Sequence, residues 1–419
     1  MGGTDVVSDK LLQQADNVFS GVTNISTPPS RIALGFGTAY YLDSSGHVWA
    51  WGAGDCGELG NGTAGTQLNP SSSVNPVYGS TVPVEVLNLS NIVSIAAGVY
   101  TCYALDSFGH VWAWGFGDDG RLGNGTKGTQ LNTGEYPIYG SNISVQVSNL
   151  TDIVSIAAAA STGYALDTSG HVWAWGSGWG SPDGSLSSSV PIRVSTLTDI
   201  VSISTDAKGN EAFAFDSSGH VWAWGHFGSG VSTVEPIEDP NQATVPMQLP
   251  NLKNIVAIAY EGFGDKVTDT SDQLWYALDS SGQVWAWEFK GWFAQDGIQT
   301  TPVKVSTLSN IVAVVGRGED DSFNIYNSGY ALDNSGRVWA WGDGIDGIFN
   351  NDGTVVKKST LVQVSNMSNV VEIVGNIKNS YALDSSSNVW AWGINGSGQL
   401  GNGTITNSNV PVQVLDLPK

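Results

Sequence analysis

Apolar and polar positions alternate along this chain with the period of strands, in a unit that residues 92–152 show most clearly. Ile92-Val93-Ser94-Ile95-Ala96-Ala97-Gly98 is a short apolar run, rich in β-branched residues and stopped by glycine, which predicts a strand, A. Tyr103-Ala104-Leu105 predicts strand B, and Asp106-Ser107-Phe108-Gly109 a tight turn with glycine where a positive φ is wanted. His110-Val111-Trp112-Ala113-Trp114 predicts strand C and Val145-Gln146-Val147 strand D, after which Leu150-Thr151-Asp152 leads into the next A. Side chains alternate faces along a strand, so Trp112 and Trp114 share one face of C while Val111 and Ala113 share the other. Both faces are apolar, which requires that both be covered. One is bulky and one small, so the tryptophan face of one sheet can seat on the Val/Ala face of its neighbour.

The unit recurs. Val-Trp-Ala-Trp begins at Val48, Val111, Val172, Val221, Val284, Val338 and Val389, followed by glycine except at Glu288. Successive first tryptophans are 49 residues (Trp173 to Trp222) to 63 residues (Trp49 to Trp112) apart. Self-similarity at this period means a solenoid, an array or a propeller. One flat sheet would leave its paired tryptophans half wet, an apolar patch soluble proteins avoid. Sheets stacked around an axis cover both faces and protect most edges. The expectation is an all-β, seven-bladed propeller of four-stranded antiparallel blades. It opens at strand A, Ile32-Ala33-Leu34-Gly35, and stops at strand D, Val410 to Leu415, so the N- and C-terminal strands close the ring.

Length alone would suggest two or three domains, but repeats override it. The propeller spans 31–419 and residues 1–30 form an appendage. There Val7, Leu11, Ala15 and Phe19 recur at helical spacing before the linker Ser26-Thr27-Pro28-Pro29, as fits a short docking helix or a frayed tail.

A net charge of −22, with 16 basic against 38 acidic residues, argues against nucleic acid and anionic membrane surfaces as partners. No apolar run approaches a membrane span. No signal peptide is read, although Met1-Gly2-Gly3 fits a start placed on a trimmed mature chain. Cys56 and Cys102 read as lone thiols in preference to an inter-blade bridge. Sequons stand at Asn24, Asn61, Asn88, Asn124, Asn142, Asn149, Asn366, Asn395 and Asn402, each a candidate glycosylation acceptor. With a Gly-, Ser-, Thr- and Asn-rich, Lys-poor composition, they lean towards an extracellular or cell-surface glycoprotein, with the cytoplasm as the alternative.

Antiparallel order puts the A–B and C–D loops on one rim and the B–C and D–A connections on the other. B–C turns hardly vary, as Asp43-Ser44-Ser45-Gly46 and Asp333-Asn334-Ser335-Gly336 show. Loop growth is confined to the first rim: C–D loops in repeats one (53–82), two (116–144) and four (226–245), and A–B loops in repeats five (260–274) and six (316–328). Binding usually lives in loops on a rigid scaffold. Candidate partner-binding residues on that rim are Tyr78, Tyr136, Tyr139, Trp179, Phe263, Trp292, Phe293, Phe323 and Tyr326, with the acids Glu235, Glu238, Asp239, Asp265, Asp320 and Asp321. The plainer account is that the aromatics pin long loops and the acids solvate them.

His47, His110, His171 and His220 hold one repeat position after the B–C turn. Packed sheets sit roughly 10 Å apart, whereas each zinc ligand needs to be about 2 Å from the metal, so equivalent positions cannot share one ion. Asp343, Asp346 and Asp352 miss the EF-hand spacing. No catalytic triad, phosphate loop or paired-carboxylate motif stands out, so no catalytic residue, metal or cofactor is assigned.

Gly54-Asp55-Cys56-Gly57-Glu58-Leu59-Gly60-Asn61-Gly62 follows a Trp-Gly, and Gly117 to Gly125 and Gly396 to Gly403 share its pattern. With the Ala-Leu-Asp turn and Val-Trp-Ala-Trp-Gly, these stretches resemble the repeat of the regulator of chromosome condensation family. That resemblance implies a seven-bladed propeller. Its members include a nucleotide-exchange factor, a secreted β-lactamase inhibitor and a UV-B photoreceptor, so it implies partner binding through a propeller face more than any one partner. The Gly-Trp-Arg-His-Thr motif of the photoreceptor is absent. The function expected is a non-enzymatic, protein-binding propeller acting through its long-loop rim. Carbohydrate binding, with Trp179 and Trp292 stacked on sugars, and a structural surface or filament subunit are the alternatives.

Overall fold

The computed structural model describes residues 30–69, 76–132, 136–177, 187–205, 211–225, 246–249, 252–261, 273–289, 302–320, 325–342, 361–364, 367–376 and 378–418. Seven antiparallel sheets follow one another along the chain, each built of consecutive strands. In blade two, A is Ile92–Ala97, B is Thr101–Asp106, C is Val111–Phe116 and D is Tyr139–Gln146. Tyr103 pairs with Ala96 on one side and Ala113 on the other. The seven-bladed, all-β expectation holds. The N-terminal appendage falls outside the described residues.

Strand D is longer than the predicted Val145-Gln146-Val147, because a register shift between Ser141 and Val145 breaks the alternation that would have revealed it. Blades one and two are five-stranded, not four-stranded. Thr66–Gln67 pairs with the start of Tyr78–Glu85, and Thr129–Gln130 with the start of Tyr139–Gln146. These extra strands are two residues long and exposed, so no apolar alternation announces them. Much of the predicted A–B loop of repeat six is hairpin: Ile311–Asp320 pairs with Ile325–Asp333 out to Asp320↔Ile325.

The A strands pack side by side from blade to blade, as Ile32–Leu34 does with both Ile92–Ala97 and Val370–Gly375, so they stand innermost around the axis. Between blades, Val48 and Ala50 of the first lie in one buried cluster with Ile92, Ile95, Ala104 and Trp114 of the second. The bulky face does seat on the small one. In blades one to four and seven the second tryptophan of the pair is the buried one, Trp51 and Trp114 being 0% exposed. Its ring meets the B-strand tyrosine of the preceding blade: Tyr40 and Trp114 at 5.7 Å, Tyr103 and Trp175 at 5.3 Å, Tyr276 and Trp341 at 5.2 Å, Tyr330 and Trp392 at 5.7 Å. Each such pair adds about 1 kcal/mol beyond the area it buries.

The same contact closes the ring, with Trp51 against Tyr381 at 6.2 Å. Termini meet at a junction and share no blade. Glu372 of the last A strand accepts hydrogen bonds from Ser30 Oγ (2.7 Å) and from the backbone N–H of Arg31 (3.1 Å) and Ile32 (3.2 Å).

The plain rim owes its uniformity to one aspartate per blade. Asp167 Oδ1 accepts the N–H of Ser169 and His171, and Oδ2 accepts Trp173 Nε1 at 3.1 Å. Asp43, Asp106, Asp216, Asp279, Asp333 and Asp384 likewise accept from the first tryptophan of their blades. Next to these turns, Asn91, Asp152, Asp199, Asn254, Asn310 and Asn369 hold φ of +55° to +57°. Asn and Asp tolerate that left-handed backbone best among residues with a side chain.

Candidate functional site

The opposite rim is built from the A–B turns, close to the axis, and the C–D loops outside them. In blades one, two and seven the glycine-rich loop serves as a clasp. Its central carbonyl accepts two buried donors at once: Glu58 O takes Tyr40 Oη (3.0 Å) and Trp114 Nε1 (2.9 Å). Arg121 O takes Tyr103 Oη (2.8 Å) and Trp175 Nε1 (3.1 Å), and Gln399 O takes Tyr381 Oη and Trp51 Nε1 (2.7 Å). The loop tip then hydrogen-bonds strand D of the next blade, through Gly62 N to Asn142 O, Gly125 N to Ser189 O and Gly403 N to Thr81 O. Gly60 sits at φ +62°, where an added Cβ would lie 2.7 Å from Val86 and 2.9 Å from Trp114. At two other junctions the indole turns to the tyrosine itself: Trp341 Nε1 donates to Tyr276 Oη (2.8 Å) and Trp392 Nε1 to Tyr330 Oη (3.2 Å).

Beneath the clasp of blade one, Glu58 is 2% exposed. Burial pushes its carboxyl up to about 7, against the pull of the hydrogen bond from Cys56 N–H. Burial and the neighbouring Glu58 and Asp55 push the Cys56 thiol up to about 12. Both cysteines are free. On the plain rim the balance reverses. Burial alone would raise Asp43, Asp167, Asp216, Asp279, Asp333 and Asp384, but the indole, backbone and side-chain donors outweigh it, and all six sit below the usual range.

The sequence-predicted rim residues divide. Tyr78 is 37% exposed and Tyr136 81% exposed, and Lys127 Nζ lies 3.4 Å from the Tyr139 ring centroid. Asp320 and Tyr326 fall in the long hairpin of blade six. Trp179, Glu235, Glu238, Asp239, Phe263, Asp265, Trp292, Phe293, Asp321 and Phe323 lie outside the described residues, as do Asp343, Asp346, Asp352 and the sequons at Asn24 and Asn366. Asn61, Asn124 and Asn402 occupy one turn of the glycine-rich loop, each Oδ1 accepting the N–H of the threonine two residues on. Asn88 and Asn149 are exposed on the plain rim. Asn142 Nδ2 donates to Gly62 O. Asn395 is no acceptor in the folded chain: it is 0% exposed, and its Nδ2 donates to Thr404 O and Thr406 O.

One feature of this rim escaped the sequence reading. Around the channel mouth of blades seven, one and two, Lys378 Nζ lies 3.9 Å from the Phe36 ring centroid. Phe36 meets Tyr100 edge-on at 6.0 Å, and Tyr100 meets Phe116 at 6.3 Å. The Arg121 guanidinium lies 4.9 Å from the Phe116 centroid. The ladder draws on the A–B turns of three blades and on the end of strand C and the C–D loop of blade two, so no local stretch displays it. The available signal was a bulky residue just before strand B, where Tyr100 and Lys378 stand in positions held by Gly37 and Ser161 in other repeats. The turns hold one another, through Asn376 Nδ2 to Gly35 O, Phe36 N to Val99 O and Val99 N to Ala160 O.

Among the described residues no group of three or more His, Cys, Asp or Glu could hold a metal ion, and no helix is long and apolar enough to cross a membrane. His110, His171 and His220 each place Nδ1 3.0–3.1 Å from the aspartate of their own turn.

The family model for the regulator of chromosome condensation (RCC1) repeat matches residues 45–105, 109–166 and 386–419, spans that contain the three glycine-rich clasps. Human E3 ubiquitin-protein ligase HERC2 is 33% identical over 151 residues, covering 35% of this chain and 3% of the ligase. The Ultraviolet-B receptor UVR8 of Arabidopsis thaliana is 24% identical over 416 residues, covering 92% of this chain and 82% of the receptor. This chain thus spans only a small part of the ligase. Among solved structures, yeast RCC1 (Prp20) bound to Kap60 superposes with a TM-score of 0.66 at 18% identity, covering 94% of this chain and 87% of that one. In its repeats and its seven blades, the chain is an RCC1-type repeat propeller.

Proposed function

We propose that this propeller is a non-enzymatic binding module that captures a protein partner on the rim carrying the long A–B and C–D loops. The observation that carries the reading is the contrast between rims. Every B–C turn is closed by the same aspartate–tryptophan arrangement, whereas the opposite connections run from the short turn Gly35-Phe36-Gly37 to the stretch between Trp224 and Met247. Uniform turns preserve a scaffold; connections that vary on one side of it supply recognition. A propeller of the same fold has been solved with a protein partner, Kap60.

The free thiols at Cys56 and Cys102 favour the cytoplasmic alternative over an extracellular one, since an oxidising compartment selects for bridges. A glycosidase-sensitive mass shift of the chain from its native source would reverse that placement and make Asn61, Asn124 and Asn402 the first acceptors to check.

The deciding experiment is capture from native extract by the intact chain and by a form with the loops of repeats five and six shortened. A partner retained only by the intact chain supports the reading. Equal capture by both forms refutes those loops as the face. Capture by neither, with hits on a glycan array, would move the function to sugar binding.

A further inference from the structure

The ladder at the channel mouth joins three aromatic rings and two cations from three blades. Its three rings run in sequence Phe36, Tyr100, Phe116, and each outer ring carries a cation of this chain, Lys378 at 3.9 Å and Arg121 at 4.9 Å. The central ring carries none among the described residues, and Tyr100 is 38% exposed. Aromatic faces attract cations most where water is partly excluded, and guanidinium groups use them more often than ammonium groups do. The site is preorganised, because its turns are tied to one another by backbone hydrogen bonds. An order fixed before binding reduces the entropy that binding must overcome.

Charge settles the sign of the occupant. The chain carries −22 with 16 basic residues, so its field draws in cations and repels acidic segments. Close to the ladder, the Asp119 carboxylate lies 3.6 Å from Arg121 with its side chain 55% exposed, which offsets the positive charge at that end. We propose that the mouth of blades seven, one and two takes an arginine side chain of a basic protein segment, stacked on Tyr100 between the two cations this chain supplies. This rests on the protein-binding reading and names the chemistry of its partner.

The probe is an acetylated, amidated tetraarginine peptide, titrated by calorimetry into the intact chain at 50 and 300 mM NaCl, with tetralysine and tetraglutamate alongside. Tetraarginine is expected to bind saturably and more tightly than tetralysine, with tetraglutamate silent. Tyr100→Ala should weaken it about fivefold, the loss of one exposed cation–π contact. Tyr100→Phe should stay within about twofold, because the ring remains. Phe108→Ala, an exposed aromatic on the plain rim, should change nothing. Binding that ignores Tyr100→Ala and vanishes at 300 mM NaCl would be diffuse attraction to an acidic surface and would overturn the proposal. So would preference for tetraglutamate, or no saturable binding. If shortening the loops of repeats five and six abolishes partner capture while Tyr100→Ala leaves it intact, the arginine site falls and the rim reading stands.

Discussion

The aspartate of the B–C turn offers the sharpest test of how the blades are held. Asp167 spends both carboxylate oxygens: Oδ1 on the N–H of Ser169 (2.9 Å) and His171 (3.0 Å), Oδ2 on Trp173 Nε1 (3.1 Å) and toward His171 Nδ1 (3.1 Å). Its side chain is 12% exposed. Hydrogen bonds to a charged acceptor contribute roughly 1.5–3 kcal/mol when the donor is left dry, but donors on a rim can be rehydrated, which brings each down to about 1 kcal/mol. Asp167→Ala removes the acceptor for two backbone donors and one indole, for a loss of about 3 kcal/mol. Asp167→Asn keeps an oxygen for the turn amides but turns an amino group toward the indole, so it should cost about half as much. Urea unfolding followed by tryptophan fluorescence reads both, with stability taken from the midpoint and slope. Asp167→Ala combined with Asp384→Ala, on blades that do not touch, should cost the sum of the two. A loss under about 1 kcal/mol for Asp167→Ala, or an equal loss for Asn and Ala, would show that the turn holds without its carboxylate and would refute the reasoning.

Stability should peak on the acid side of neutrality. Glu58 holds its proton to about 7 when folded, against 4.5 for an ordinary glutamate, so its contribution is complete below about 4.5 and is lost as pH rises through 7. The lowered aspartates act oppositely, their stabilisation being present above about 4 and lost as pH falls through their folded values. Melting temperature against pH should therefore fall from pH 5 to 8 in the native chain, and Glu58→Gln should flatten that limb. Gly60→Ala should cost several times more than Gly62→Ala, whose Cβ would meet nothing closer than 3.6 Å although both positions have positive φ; urea midpoints compare them. Cys56, with its thiol pushed up to about 12, and buried Cys102 should resist a thiol reagent at pH 8 until denaturant is added, which absorbance of the released chromophore would follow.

The fold was legible because its determinants repeat and are local. Trp112 and Trp114 on one face, with Val111 and Ala113 on the other, dictate stacked sheets whichever copy is read. What stayed hidden is what one copy cannot show. The bulge in strand D interrupts its alternation, and the strands Thr66–Gln67 and Thr129–Gln130 carry none because they lie exposed at the outer edge. The two tryptophans looked equivalent, yet one is tied to its own blade's aspartate and the other is buried against the tyrosine of the preceding blade. Side-chain identity gives the face, and only assembly gives the partner. Phe36, Tyr100, Phe116 and Lys378 become neighbours only when blades seven, one and two close around the axis.

The same logic separates the family motif from the function. The glycine-rich loop puts a carbonyl where a tyrosine hydroxyl and the next blade's indole both need an acceptor, and its glycines are fixed by positive φ and by contact with the indole ring. Between blades five and six, and between six and seven, the indole instead donates to the tyrosine hydroxyl of the blade before it. At these junctions the motif and the tyrosine hydroxyl are alternative solutions to the same burial problem: an unpaired indole N–H between sheets would cost about 1–3 kcal/mol. Matching the motif identifies how blades are joined and leaves the partner to residues the motif does not contain. That is why the residues most worth mutating for function are the ladder at the mouth, not the glycines that mark the family.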